Sequence, residues 1–213
     1  MLKNVLDTDL YCITAEEYSL GRSNIDVVNQ MIAAGVKLIQ YREKEKSMKE
    51  KYDECVQIRK MTQAAGVFFI VNDHVDLAMA VDADGIHVGQ DDVPVRDLRN
   101  LVGEDMIIGL STHSPAQALE AVRKGADYIG VGPIFATKTK KNVCAPVGFE
   151  YLEWVTANLD IPFVAIGGIK KHNLREIVSR GAKSVALVSE ITSNGEIPAL
   201  ISELRHIIKE NSK

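Results

Sequence analysis

The sequence predicts a single (β/α)8 barrel spanning residues 1–213. Three observations predict it. Short β-rich runs alternate with helical patterns along the chain. The joints Ala34-Gly35-Val36, Ala65-Gly66-Val67, Lys124-Gly125-Ala126 and Arg180-Gly181-Ala182 repeat one pattern: a glycine where a helix stops, with a strand close behind it. No linker or low-complexity segment divides the chain. A recurrence of roughly 25 to 35 residues marks successive βα units, and eight such units close a barrel. An open doubly wound sheet is the competing architecture.

The elements follow in order. Residues 10–14 read as the first strand, and 25–34 have helical periodicity. A strand over 36–41 precedes a long helix over 48–65. The third strand, 67–72, leads to a short helix over 75–81, and the fourth, 85–88, to a helix over 95–102. The fifth strand, 106–111, is followed by a helix over 115–124 that Ser114 caps. A sixth strand over 128–132 runs into a long loop before a helix over 149–158. The seventh and eighth strands, 162–166 and 184–188, precede helices over 173–180 and 197–209.

Bulk composition bounds the function. Hydrophobic residues are 46% and charged residues 25% of the chain, an ordinary balance for a domain with a substantial core. A formal net charge of −4 gives no reason to expect nucleic-acid or membrane partners. The N-terminus lacks a secretory h-region, and no apolar run approaches a membrane span. Cys12, Cys55 and Cys144 are widely spaced and form no CxxC pair, which suits free thiols in a cytoplasmic protein.

A barrel of this kind works at the C-terminal ends of its strands. After strand two come Gln40-Tyr41-Arg42-Glu43-Lys44. Gln40 and Arg42 share a strand face and can point together over the mouth, with Lys44 just beyond. The other reading of this segment is a solvated charge run. Asp73 follows strand three, and Asp91 and Asp92 follow strand four. Neighbouring strands lie about 5 Å apart, so carboxylates from the two loops can converge on a hard cation such as Mg²⁺. Asp73 could instead be a helix N-cap, and Asp91 and Asp92 a solvated turn.

The loop after strand six carries Thr137, Lys138, Thr139, Lys140 and Lys141, a set suited to a phosphorylated ligand or to a plain lysine-rich surface. Strand seven ends in Gly167-Gly168 and strand eight in Val188-Ser189, where barrels of this kind recurrently bind phosphate. Bare glycines let backbone N–H groups approach an anion, although a tight turn would also use them. Two phosphorylated substrates on one barrel is the economical inference.

These segments resemble the thiamine-phosphate synthase family from Gln40 nearly to the C-terminus. The matching pieces include Gln40-Tyr41-Arg42-Glu43-Lys44, Val71-Asn72-Asp73, His87-Val88-Gly89-Gln90-Asp91-Asp92 and Gly109-Leu110-Ser111-Thr112. They continue with Gly132-Pro133-Ile134-Phe135, Thr137-Lys138-Thr139-Lys140, Ala165-Ile166-Gly167-Gly168 and Val188-Ser189. Ala136 stands where the family usually has proline, and His74 where arginine or tyrosine is more familiar.

The resemblance implies condensation of hydroxymethylpyrimidine diphosphate with hydroxyethylthiazole phosphate, releasing pyrophosphate. It implies that Asp73 and Asp92 ligate Mg²⁺, and that Gln40, Arg42, Lys44, Asn72, Ser111 and Lys140 hold the pyrimidine substrate. Tyr41 and Glu43 belong to the same binding segment. Thr137, Lys138, Thr139, Gly168, Val188 and Ser189 would line the thiazole-phosphate site. Arg42, Lys44, Ser111 and Lys140 would be the catalytic contacts. The alternatives are a thiazole tautomerase on the same barrel and a non-enzymatic thiazole-phosphate-binding regulator. Neither needs a grip on a diphosphate. A phosphosugar isomerase should show a placed acid/base pair, and none is evident.

Overall fold

Consecutive side chains of a strand point to opposite faces, so each apolar run supplies one face to a barrel interior and the other to the surrounding helices. The computed structural model describes residues 7–139 and 144–211. It has eight parallel strands: β1 (Leu10–Ile13), β2 (Leu38–Tyr41), β3 (Phe68–Asn72), β4 (Gly85–Val88), β5 (Ile107–Thr112), β6 (Tyr128–Val131), β7 (Phe163–Ala165) and β8 (Val185–Leu187). They pair in chain order and β8 returns to β1, so the sheet is closed and the open alternative does not apply.

Helices follow the strands: α1 (Asn24–Ala33), α2 (Met48–Ala65), α3 (Val75–Ala80), α4 (Val95–Val102), α5 (Pro115–Arg123), α6 (Gly148–Asn158) and α7 (Leu174–Val178). After β8 come a four-residue helix, α8 (Ser189–Thr192), and then α9 (Ile197–Asn211). Three helices, α1, α2 and α5, start on side-chain oxygens. Ser23 and Ser47 each complete a capping box with the acidic residue three positions on, and Ser114 accepts from the Gln117 N–H ahead of α5. The sequence reading missed α8, whose four residues are too few to show a helical period. It also set β7 and β8 one residue too long at each end; Ile166 and Val188 continue the apolar runs past the strands' C-terminal ends.

Alternation produces two cores. Tyr11, Leu38, Ile70, Ile107, Tyr128 and Val164 fill the barrel interior. Their neighbours Ile39, Phe69 and Ile108 face outward and pack with Val28, Ile58 and Leu98 from the helices. Three aspartates fasten the N-terminal end of the barrel. Asp84 accepts from the Phe69 N–H at 2.7 Å and from Arg59 at 2.8 Å. Asp127 accepts from the Ile108 N–H at 2.7 Å and from Arg99 at 2.5 Å. Asp9 accepts from the Leu10 N–H and from Arg205, both at 2.9 Å. Each ties a strand to a helix far from the C-terminal rim. Among the described residues no helix is long and apolar enough to cross a membrane.

Candidate active site

The C-terminal ends of the strands surround a cavity of about 650 Å³. Strand parity decides which residues of the β2 segment reach it. Gln40, Arg42 and Lys44 line the cavity. Tyr41 and Glu43, of the opposite parity, do not. Tyr41 donates to Glu54 of α2 at 2.6 Å, and Glu43 accepts from Asn24 of α1 at 3.2 Å. Their contacts brace the β2–α2 loop against the helices. Lys46 completes the brace by pairing with both Glu16 and Glu54.

Asn72, Asp73 and Ser111 also line the cavity. Asp73 is not a helix cap: His74 holds the N-cap position of α3 and makes no side-chain cap bond. Asp73 has a left-handed backbone, φ 61°, and its N–H bonds the His87 carbonyl at 2.9 Å. That conformation is uncommon outside glycine, although Asp and Asn tolerate it best. The Asp73 carboxylate pairs with the Lys44 ammonium. Asp92 lies outside the lining, and its carboxylate accepts from the Gly89 N–H at 2.7 Å.

Of the two aspartates expected to hold Mg²⁺, Asp73 alone offers its carboxylate to the cavity. That ion takes one or two carboxylates and keeps water and substrate phosphate for its remaining positions. Among the described residues no three His, Cys, Asp or Glu side chains gather into an all-protein cage. The cation that Asp73 faces in this structure is the Lys44 ammonium.

On the far side, Thr137, Lys138, Thr139, Gly168, Val188 and Ser189 line the same cavity. Lys140 lies outside the described residues. The β6–α6 loop is fastened across the mouth: Arg42 donates to the Thr139 carbonyl at 3.1 Å, and Tyr18 to the Lys138 carbonyl at 3.4 Å. The Thr137 and Thr139 hydroxyls stand 3.1 Å apart. Gly168 has φ 65°, and a Cβ there would meet the Ala136 carbonyl oxygen at 2.6 Å. The bare glycine therefore admits the loop backbone. His113 supports the rim as well, donating from Nδ1 to the Gly132 carbonyl at 2.5 Å.

Four functional groups escaped the sequence reading. Tyr11, Tyr128 and His87 form a polar floor, and Lys170 stands at the β7 end. Lys170 reaches Ser189 Oγ at 3.3 Å and Glu190 at 3.2 Å. Inward parity would have flagged the tyrosines, but an aromatic in a strand reads first as core. His87 sits inside β4, where a lone histidine carries no motif of its own. Cys144 is exposed and lines the cavity, whereas Cys12 and Cys55 are buried; burial pushes the Cys12 thiol up to about 12.

A family model described as thiamine monophosphate synthase matches residues 10–191. The chain belongs to that family. Relatives named thiamine-phosphate synthase match it over nearly full length, and on that likeness the chain is an enzyme. The chain is 66% identical over 207 residues to the thiamine-phosphate synthase of Pelotomaculum thermopropionicum, covering 97% of this chain and 95% of the relative. It is 57% identical over 203 residues to that of Lawsonia intracellularis, covering 95% and 94%. Among solved structures it resembles the thiamine phosphate pyrophosphorylase of Pyrococcus furiosus. The TM-score is 0.88 and the identity 35%, with 99% of this chain and 98% of that one covered.

Proposed function

We propose that the chain acts as a thiamine-phosphate synthase, joining hydroxymethylpyrimidine diphosphate to hydroxyethylthiazole phosphate with Mg²⁺ and releasing pyrophosphate. The supporting observation is one cavity lined by cationic groups from two sets of strand ends. Arg42 and Lys44, the latter paired with Asp73, line it at the β2–β3 end, and Lys170, 3.3 Å from Ser189 Oγ, lines it at the β7–β8 end. A tautomerase or a regulator needs only the second end.

The reaction needs no protein nucleophile. The C–O bond of the pyrimidine methylene breaks and its electron pair leaves with pyrophosphate. The aminopyrimidine delocalises the cation left behind, and the thiazole nitrogen lone pair forms the new C–N bond. No proton has to move. Arg42 and Lys44 stabilise the growing charge on the departing oxygens, as Lys140 would. Mg²⁺ held by Asp73 and Asp92 would supply further neutralisation of the diphosphate. The β6–α6 loop excludes water from the cation, and its threonines orient the thiazole phosphate. Lys170 balances that phosphate's charge.

The test is incubation with both substrates and Mg²⁺, following thiamine phosphate and pyrophosphate. Equal yields of the two are expected. A protein that isomerises the thiazole and makes no thiamine phosphate is a tautomerase; one that binds it and does neither is a regulator.

A further inference from the structure

Five side chains on five strands join at the floor of the cavity. Gln40 donates from Nε2 to the Tyr11 hydroxyl at 2.8 Å. The Tyr11 and Tyr128 hydroxyls are 2.9 Å apart. Tyr128 stands 2.9 Å from His87 Nδ1, and His87 Nε2 stands 2.9 Å from Ser111 Oγ. The site is built for this contact. A Cβ at Gly109 would lie 2.1 Å from Tyr128 Cζ, so only glycine admits the ring.

Each phenol has one proton to give, which makes the chain directional. Tyr11 accepts from Gln40, which leaves its own proton for Tyr128, and Tyr128 in turn has its proton for His87 Nδ1. A neutral imidazole that accepts at Nδ1 carries its proton on Nε2 and donates to Ser111. Ser111 Oγ accepts that bond, which leaves its own proton for the cavity that it lines. Burial holds the Tyr11 and Tyr128 phenols well above their ordinary range, so both keep their protons.

We propose that Tyr11, Tyr128 and His87 are positioning residues that fix Ser111 as a one-way hydrogen-bond donor to the pyrimidine diphosphate. The ligand identity rests on the synthase reading; the direction of the chain does not. The reverse direction would need Gln40 to accept from Tyr11, and Ser111 would spend its proton on His87.

The experiment is ¹⁵N NMR of the histidine rings in the ligand-free protein, with His87 assigned by the loss of its signals in His87→Asn. The neutral Nε2–H tautomer is expected. The Nδ1–H tautomer, or a doubly protonated ring, overturns the proposal. Because no substrate is present, this outcome is independent of the synthase reading. Tyr128→Phe removes the link while keeping the ring volume. It should abolish the His87 tautomer preference and lower kcat about tenfold, the size of one oriented hydrogen bond, with the KM for thiazole phosphate unchanged. A Tyr128→Phe protein that retains the His87 signals, or one whose kcat is untouched, also overturns it.

Discussion

At the scale of single residues, charge and backbone conformation at the rim make separable demands. Asp73→Asn keeps a side chain that tolerates φ 61° but removes the charge that faces Lys44. Its fold should survive. Turnover should fall by about two orders of magnitude at limiting Mg²⁺, the size of losing one preorganised electrostatic contact, and recover partly at high Mg²⁺. A Mg²⁺ titration of kcat/KM checks this; an unshifted midpoint would separate Asp73 from the metal. Lys170 is partly exposed and shared with Glu190, so its contribution is modest. Lys170→Met should raise the KM for thiazole phosphate about tenfold, leave the KM for the diphosphate alone and have little effect on the unphosphorylated thiazole alcohol. Steady-state kinetics with the two thiazoles measures the difference. Lys170 was invisible in the sequence because it follows Gly167-Gly168 by two positions and looks like a surface lysine. Only the closing of β7 onto β8 brings it to Ser189.

At the scale of elements, the β6–α6 loop and the strand bases carry different burdens. The sequence showed the loop as long and cationic, but not that Gly168 packs against its backbone. That contact links residues about 30 positions apart across two strands, beyond any local periodicity. A valine at Gly168 would meet the Ala136 carbonyl and Phe135, and would have to adopt φ 65°. Gly168→Val should therefore push the loop outward and raise the KM of both substrates. An effect confined to thiazole phosphate would mean that the loop had not moved. The strand bases contribute stability alone. Asp127→Ala strands Arg99, which is 15% exposed, and leaves the Ile108 N–H without its partner. The expected cost is about 1–3 kcal/mol, or roughly 2–4 °C in Tm per kcal/mol for a domain of this size. Thermal melts alongside kinetics check it: Tm should fall and kcat hold. Gln40 and Arg42 were legible from strand parity, which equally assigns Tyr41 and Glu43 to the helix side once the strand face is known.

At the scale of the molecule, the barrel was legible because its signal repeats. Helix stops at Gly35, Gly66, Gly125 and Gly181 all have positive φ, and each precedes a strand that continues one closed sheet. The polar floor was not legible in the same way. Tyr11 and Tyr128 are 117 positions apart and meet only through barrel closure. The same closure brings Arg42, Lys44 and Asp73 into one cavity with Gly168, Lys170 and Ser189. A crystal structure with Mg²⁺, pyrophosphate and thiamine phosphate tests whether these two groups hold the two anions. Pyrophosphate is expected against Arg42, Lys44 and Asp73, and the thiazole phosphate against Gly168, Lys170 and Ser189, in one chain at once. Both anions at the same end, or either one bound outside the cavity, would contradict it.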